Sequence, residues 1–266
     1  MAFFAMKALR SAARQARNRV VPSRRRATAQ WAARQRVQGE LYARTEGKIA
    51  GGPFLGMRFV PEGSWGFVSP LLAGCYEAEL FSTIEAFVSQ EPRRVVVVGA
   101  AEGYYAVGLA MRLPNASVTA FDIDANSRKV CAAVAELNGV ASRVTLRGEC
   151  SHADLDRLVG AGCLAIVDCE GCELDLLDPS QVPSLAETSL IVELHDFVDS
   201  RIRPTIQSRF SASHSITIIQ SSLRDPRSVA AVAGLQPADQ FLAVDEMRPS
   251  HPHPMEWAVL VPVSHI

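Results

Sequence analysis

The stretch Arg94-Val95-Val96-Val97-Val98-Gly99-Ala100-Ala101-Glu102-Gly103-Tyr104 decides how the chain folds. Four consecutive valines between turn signals read as a short strand buried on both faces. The small-residue turn Gly99–Gly103 ends that strand, and Tyr104–Arg112 then carries apolar residues at helical spacing up to Pro114. Strand, glycine-bearing turn and helix in that order are the opening of a βαβ unit, which requires a parallel partner strand further on.

That partner follows, and the alternation continues. Strands are expected at Ser117–Phe121, Arg143–Arg147, Cys163–Val167 and Ser189–Leu194, and helices at Ser127–Leu137, His152–Val159 and Ile202–Phe210. Ser215–Ile219 and Trp257–Val261 read as a closing antiparallel pair. The fold class is therefore α/β, a mostly parallel seven-stranded sheet with helices on both faces. Upstream, residues 40–92 form a cap segment, helical over Glu77–Ser89, and residues 236–256 a polar loop before the last strand.

Charge divides the chain unevenly. The net charge is −1, yet residues 1–39 hold ten of the 27 basic groups and no acid. The remaining 17 basic groups face all 28 acids in 40–266, a net of −11. An acidic body disfavours nucleic acid as its partner. The Arg-rich, acid-free arm at 1–39 suits a mitochondrial-type transit peptide, an anionic surface, or a solvated extension. No apolar run approaches the roughly 20 residues of a membrane span, and no secretory core is present. A cytoplasmic location is the expectation, with a mitochondrial one as the alternative if the arm is a targeting segment.

Cysteines at 75, 131, 150, 163, 169 and 172 suit a reducing compartment with free thiols. Cys169 and Cys172 alone have ligand-like spacing, and one such pair is a poor zinc site, so they read as small buried side chains flanking a turn.

In open α/β sheets ligands bind beyond the carboxyl ends of the strands. Those ends here carry the Gly99–Gly103 turn, Asp122, Gly148-Glu149, Asp168 and His195. Asp122 stands 23 residues after Gly99, where a carboxylate can take both ribose hydroxyls of an adenosine. It could equally cap the next helix, a role for which Asp124 competes.

Four segments taken in order resemble S-adenosylmethionine-dependent class I methyltransferases: Val95-Val96-Val97-Val98-Gly99-Ala100-Ala101-Glu102-Gly103-Tyr104, Ala120-Phe121-Asp122-Ile123-Asp124, Ile166-Val167-Asp168-Cys169-Glu170-Gly171-Cys172-Glu173 and Ile191-Val192-Glu193-Leu194-His195-Asp196. More narrowly they are similar to the FkbM-type branch, with the Asp168–Glu173 segment as the most distinctive part. The resemblance spans about 93–196 and implies a Rossmann-like methyltransferase domain over 93–266. It makes Gly99, Ala101 and Gly103 the loop around the methionine part of S-adenosylmethionine. Asp122 would hold the ribose, Ile123 the adenine face, Glu149 the adenine amino group, and Asp168 a place beside sulfonium and acceptor. Gly74-Cys75-Tyr76-Glu77-Ala78-Glu79-Leu80 looks like the helix such enzymes place before the first strand. Two departures stand out: Val97 replaces a usual acid, a partner of the loop or of the cofactor ammonium, and Ala101 replaces the middle glycine.

The activity implied is O-methylation of a hydroxyl on a small molecule or sugar. His195, with an ordinary pKa near 6.5, is the candidate base, and Asp168 and Glu193 position it or the cofactor; the bland alternative for His195 is a satisfied core histidine. His152, His251 and His253 read as loop residues. A metal-free site is expected, although Asp168, Glu193 and His195 also resemble a ligand set for a divalent ion, and Glu193 and His195 fall on one side of their strand. Arg248 is a candidate clamp on an anionic acceptor. Two other classes stay open: a catalytically silent methyltransferase-fold protein that acts as a binding partner, and a nicotinamide-dependent oxidoreductase. The latter lacks the full glycine pattern and leaves the Asp168–Glu173 segment unexplained. Nothing in the sequence fixes the oligomeric state.

Overall fold

A computed structural model describes residues 24–61, 67–248 and 254–263 of the 266-residue chain. Residues 1–23 of the arm, and His251 and His253, lie outside the described residues. Seven strands form a single sheet: β1 (Arg94–Val98), β2 (Ser117–Phe121), β3 (Val144–Arg147), β4 (Cys163–Val167), β5 (Ser189–Leu194), β6 (His214–Gln220) and β7 (Glu256–Pro262). Their order is β3-β2-β1-β4-β5-β7-β6, and only β7 runs antiparallel to its neighbours. The strands expected from the sequence are all present, with ends that shift by a residue at most.

Strand alternation divides the core into two layers. Val95, Val97, Leu164, Ile166, Ile191, Trp257 and Val259 pack on one face, and Val96, Val98, Ala165, Val167, Leu190, Val192 and Leu260 on the other. Helices cover both faces: α4 (Tyr104–Arg112) and α5 (Ala125–Leu137) on the first, α6 (His152–Leu158) and α8 (Ile202–Phe210) on the second. The short α7 (Glu173–Leu176) follows β4.

The N-terminal segments add to the first layer. They comprise α1 (Arg24–Thr45), α2 (Ser69–Ala73) and α3 (Phe81–Ser89). The expected division between an arm at 1–39 and a cap from 40 falls inside α1, which is continuous across it. Arg34, Val37 and Leu41 share one buried stripe of this helix. Arg34 pairs with Asp245, and Arg36 grips the Asp239 carboxylate at 2.6 and 3.0 Å. The basic charge from residue 34 onward is thus met by acids of the body.

Two further expectations change. The polar loop at 236–256 contains α9 (Pro237–Val244), whose Ala243 and Val244 enter the core beside α1. The helix expected from Glu77 starts as a 3-10 turn at Ala78–Leu80 and becomes α-helical only at Phe81. Glu77 itself has φ +50°, outside a right-handed helix. Among the described residues no helix is long and apolar enough to cross a membrane.

Candidate active site

The register of β1 against β4 sets Val98 beside Val167, so the turn at Gly99 and the loop at Asp168 leave the sheet side by side. The Asp168 amide donates to the Val98 carbonyl at 2.9 Å, while Gly99 and Ala100 amides both donate to the Phe121 carbonyl at 2.8 and 2.9 Å. Any Cβ on Gly99 would collide with the Asp168 carbonyl oxygen, and its φ of +89° also favours glycine. Gly103, at φ +92°, opens α4 where a Cβ would meet Cys131 Sγ at 2.7 Å. Ala101 lies at φ +43°, so an alanine holds a conformation a glycine would adopt without cost.

Asp122 ties this turn to the next. Its Oδ2 accepts the Ala101 amide and its Oδ1 the Asp124 amide, each at 2.8 Å. Burial raises its pKa and these two amides oppose the rise. The competition for the helix cap is resolved: Asp124 caps α5, accepting from the Asn126 amide at 2.7 Å and the Ser127 amide at 3.4 Å. Each Asp122 oxygen keeps a lone pair for a further donor. Ile123, next to it, is 65% exposed, an apolar side chain presented at the carboxyl edge. Glu149 lies past the end of β3 and is exposed. Gly99, Ala101, Gly103, Asp122 and Ile123 are therefore brought to one edge of the sheet.

The ends of β4 and β5 carry a different chemistry. His195 is only 2% exposed. Its Nδ1 lies 2.7 Å from Oε1 of Glu173, which is itself fully buried. Its Nε2 faces Glu193 Oε2 at 3.4 Å, Asp168 Oδ1 at 3.5 Å and Glu170 Oε2 at 4.0 Å. Glu193 and His195 do share a side, as strand alternation requires. Burial works against a charged imidazole, yet Glu173, Glu193 and Asp168 outweigh it and raise the His195 pKa to about 10. The expectation of a histidine with an ordinary pKa is thereby overturned: without another cation, His195 holds its proton at neutral pH. Burial and the neighbouring Glu193 push Asp168 well above the usual carboxylate range. Burial likewise raises Glu193, against the pull of His195 and Arg248.

Behind this group lies a network that the sequence did not announce. Arg248 reaches Glu246 at 2.7 Å, Glu193 at 2.9 Å and Glu77 at 2.7 Å, one donor nitrogen to each. Each of its three nitrogens already holds one of the protein's own acids, so its first role is to neutralise Glu77, Glu193 and Glu246 rather than to clamp an anionic acceptor. Arg224 pairs with Glu79 and, at 2.8 Å, with Glu246. Tyr105 donates its hydroxyl to Glu77, whose pKa burial raises to about 7 while Arg248 and Tyr105 oppose. The signal was faint but present: Glu77 and Glu79 sit in the otherwise apolar run 74–80. Phe197, 48% exposed and edge-on to His195 at 5.6 Å between centroids, was also missed. His152 has a local partner, its Nε2 lying 2.7 Å from the Asp175 carbonyl.

Cys169 and Cys172 are joined by a disulfide, contrary to the expectation of free thiols. Gly171 at φ +103° and Glu170 at φ +57° curl the chain between them, which brings the two side chains together. The bridge spans the loop that carries Asp168, Glu170 and Glu173.

No family model matches the chain, and no curated protein matches it in sequence. Solved structures do match in shape. A proposed O-methyltransferase from Klebsiella pneumoniae aligns over 96% of this chain and 97% of its own, at 13% identity and a TM-score of 0.50. An O-methyltransferase from Bacillus cereus, solved with S-adenosylhomocysteine (SAH), aligns over 94% and 97% at 11% identity and 0.47. TomG from Streptomyces achromogenes, an O-methyltransferase of tomaymycin synthesis solved with S-adenosylmethionine, aligns over 72% and 81% at 12% identity and 0.48. Together with the strand order and the antiparallel β7, the Klebsiella likeness identifies the fold as the Rossmann-like class I methyltransferase fold.

Proposed function

We propose that the chain is an S-adenosylmethionine-dependent methyltransferase of FkbM type, acting on a hydroxyl of a small molecule or sugar. The observation that carries this is the pairing of Asp122 with the exposed Ile123 beside the turn held by Gly99. A carboxylate with spare lone pairs next to an uncovered apolar side chain fits a ribose and the flat base attached to it. S-adenosylmethionine supplies an electrophilic methyl group on a sulfonium when bound.

The chain's own residues do the rest. Gly99, Ala101 and Gly103 let the backbone come close to the ligand, and Glu149 lies past β3 at the adenine end. Asp168, its side chain 30% exposed, leaves β4 beside the turn that begins at Gly99. Asp168 is the carboxylate placed to accept the hydroxyl proton, a contribution of roughly 10²–10⁴-fold. His195, held through Nδ1 by Glu173, is a positioning residue for that carboxylate. Phe197 offers the acceptor an apolar wall.

Calorimetric titration of SAH tests this, with NADH as control. The expected result is binding to wild type, at least about tenfold weaker in Asp122→Ala and in Ile123→Ser, and none for NADH. Ile123→Ser is included because Asp122 also holds the turn. No binding of SAH to the folded wild type would overturn the proposal and favour a silent binding protein. Binding of NADH alone would favour the oxidoreductase.

A further inference from the structure

We infer that Asp168, Glu193 and His195 form a binding site for one divalent cation of the manganese or zinc kind. The three ligand atoms lie within 4.8 Å of one another, and they come from the ends of two adjacent strands. Three features separate this from an ordinary ion-pair cluster.

First, Asp168 and Glu193 hydrogen-bond to each other, but the imidazole stands from both at a distance too long for a charged hydrogen bond and right for a shared ion. A charged N–H···O⁻ contact closes to about 2.7–2.9 Å. His195 Nε2 stands at 3.4 Å from Glu193 and 3.5 Å from Asp168. Two ligands held about 2.1 Å from one ion at a tetrahedral angle are separated by about 3.4 Å.

Second, the imidazole is fixed as metal-binding imidazoles are. Nδ1 is engaged by the buried Glu173 at 2.7 Å, which leaves Nε2 to face the carboxylates. A carboxylate behind the histidine sets its tautomer and raises its basicity toward an ion. Glu173 is fully buried, and its second oxygen Oε2 has no partner among the described residues.

Third, the two oxygens of Glu193 are divided between two partners. Its Oε1 takes Arg248 at 2.9 Å, while Oε2 turns to His195. One carboxylate oxygen thus points into the cluster although an arginine stands on the other side. Asp168, Glu193, Glu173 and Glu170 surround His195, and Arg248 bonds to Glu193. A ligand set of one imidazole and two carboxylates suits manganese or zinc better than calcium, which takes six to eight oxygens. Glu170, at 4.0 Å from Nε2, is within reach as a further ligand. Asp168 opens to the surface, so one coordination position is accessible. That this position takes the acceptor hydroxyl rests on the methyl-transfer proposal; the ion site itself does not.

The test is Mn²⁺ binding to full-length protein stripped with EDTA, followed by equilibrium dialysis and by electron spin-echo spectroscopy. One Mn²⁺ per chain is expected, with modulation from an imidazole nitrogen, and Zn²⁺ should compete where Ca²⁺ does not. Glu193→Gln and His195→Gln should each weaken binding by about 100-fold or more. Glu173→Gln, which only orients the imidazole, should weaken it about 10–100-fold. Glu136→Gln, on the outer side of α5, should leave it unchanged. If His195→Gln does not fold, the nitrogen modulation in wild type decides. Absence of stoichiometric binding, or of the nitrogen signal, overturns the inference. SAH titrated into the same stripped protein keeps the two proposals apart: SAH binding without Mn²⁺ binding refutes the ion site alone, and the converse refutes the cofactor alone.

Discussion

The two halves of the carboxyl edge are built on opposite principles. At β1 and β2 the site consists of backbone: a turn of small residues, amides aimed at one carboxylate, and a single apolar side chain left uncovered. At β4 and β5 it consists of charge: His195, four carboxylates within reach of it, and Arg248 behind. The first half depends on what is absent, since a methyl group on Gly99 would have nowhere to go. The second depends on balance, since each buried acid is stable only because a cation faces it. Damage to the first half should therefore be steric and independent of pH, and damage to the second electrostatic and strongly dependent on it.

The largest effect should come from Gly99→Ala. The added Cβ meets the Asp168 carbonyl, a backbone atom that cannot rotate away, and the φ of +89° disfavours alanine as well. Together these cost about 2–6 kcal/mol. Chemical denaturation should show the loss at pH 5 and pH 8 alike. A loss under about 1 kcal/mol would mean that β1 and β4 can part without consequence.

Next comes Arg248→Met, which keeps the bulk and removes the charge. Glu77, Glu193 and Glu246 each lose a partner, at a cost of about 3–5 kcal/mol near neutral pH. Here pH matters. Glu77 has a folded pKa of about 7 against an ordinary 4.5, so the folded protein holds a proton on it in a window where the unfolded chain has lost one. Stability contributed by that proton is present below about 4.5 and falls as pH rises through about 7. Without Arg248 the carboxyl rises further, so the variant should be nearer to wild type at pH 5 than at pH 8. Adding Glu77→Gln should restore part of the loss, because Tyr105 can still donate to the amide oxygen. Equal losses at both pH values would refute the charge balance.

The same contrast explains what the sequence could tell. The β1–β2 half is local: Gly99, Ala101, Gly103, Asp122 and Ile123 fall within 25 residues and follow from strand, turn and spacing. Short apolar runs bounded by turn signals likewise located the seven strands. The charged half is assembled from Glu77, Asp168, Glu173, Glu193, Arg224 and Arg248, residues up to 171 positions apart. No local period links Arg248 to Glu77, so Arg248 looked like a loop cation awaiting a ligand. The His195 pKa failed for the same reason: Glu173, 22 residues away, and Glu193 set it together. The disulfide depended on Glu170 and Gly171 adopting positive φ, which a CxxC spacing alone does not disclose. Helix α1 was hidden because Ala and Arg dominate its composition, and only the stripe at 34, 37 and 41 shows which side packs.

The smallest effect is the most direct probe of the backbone half. Ala101 occupies φ +43°, where a residue with a Cβ gives up about 1–2 kcal/mol and glycine gives up none. Glycine also makes the unfolded chain more flexible, which returns about 0.4–1 kcal/mol of that gain. Ala101→Gly should therefore stabilise the protein by about 0–1.5 kcal/mol, a rise in Tm of at most about 6 °C. The Ala101 amide donates to Asp122 and the substitution leaves that bond in place, so SAH affinity should hold or improve. A fall in Tm would show that the alanine methyl group packs against something worth more than its strain. A fall in affinity with Tm raised would show instead that the methyl group touches the ligand. In that case the departure from glycine at this position is part of how the turn recognises what it binds.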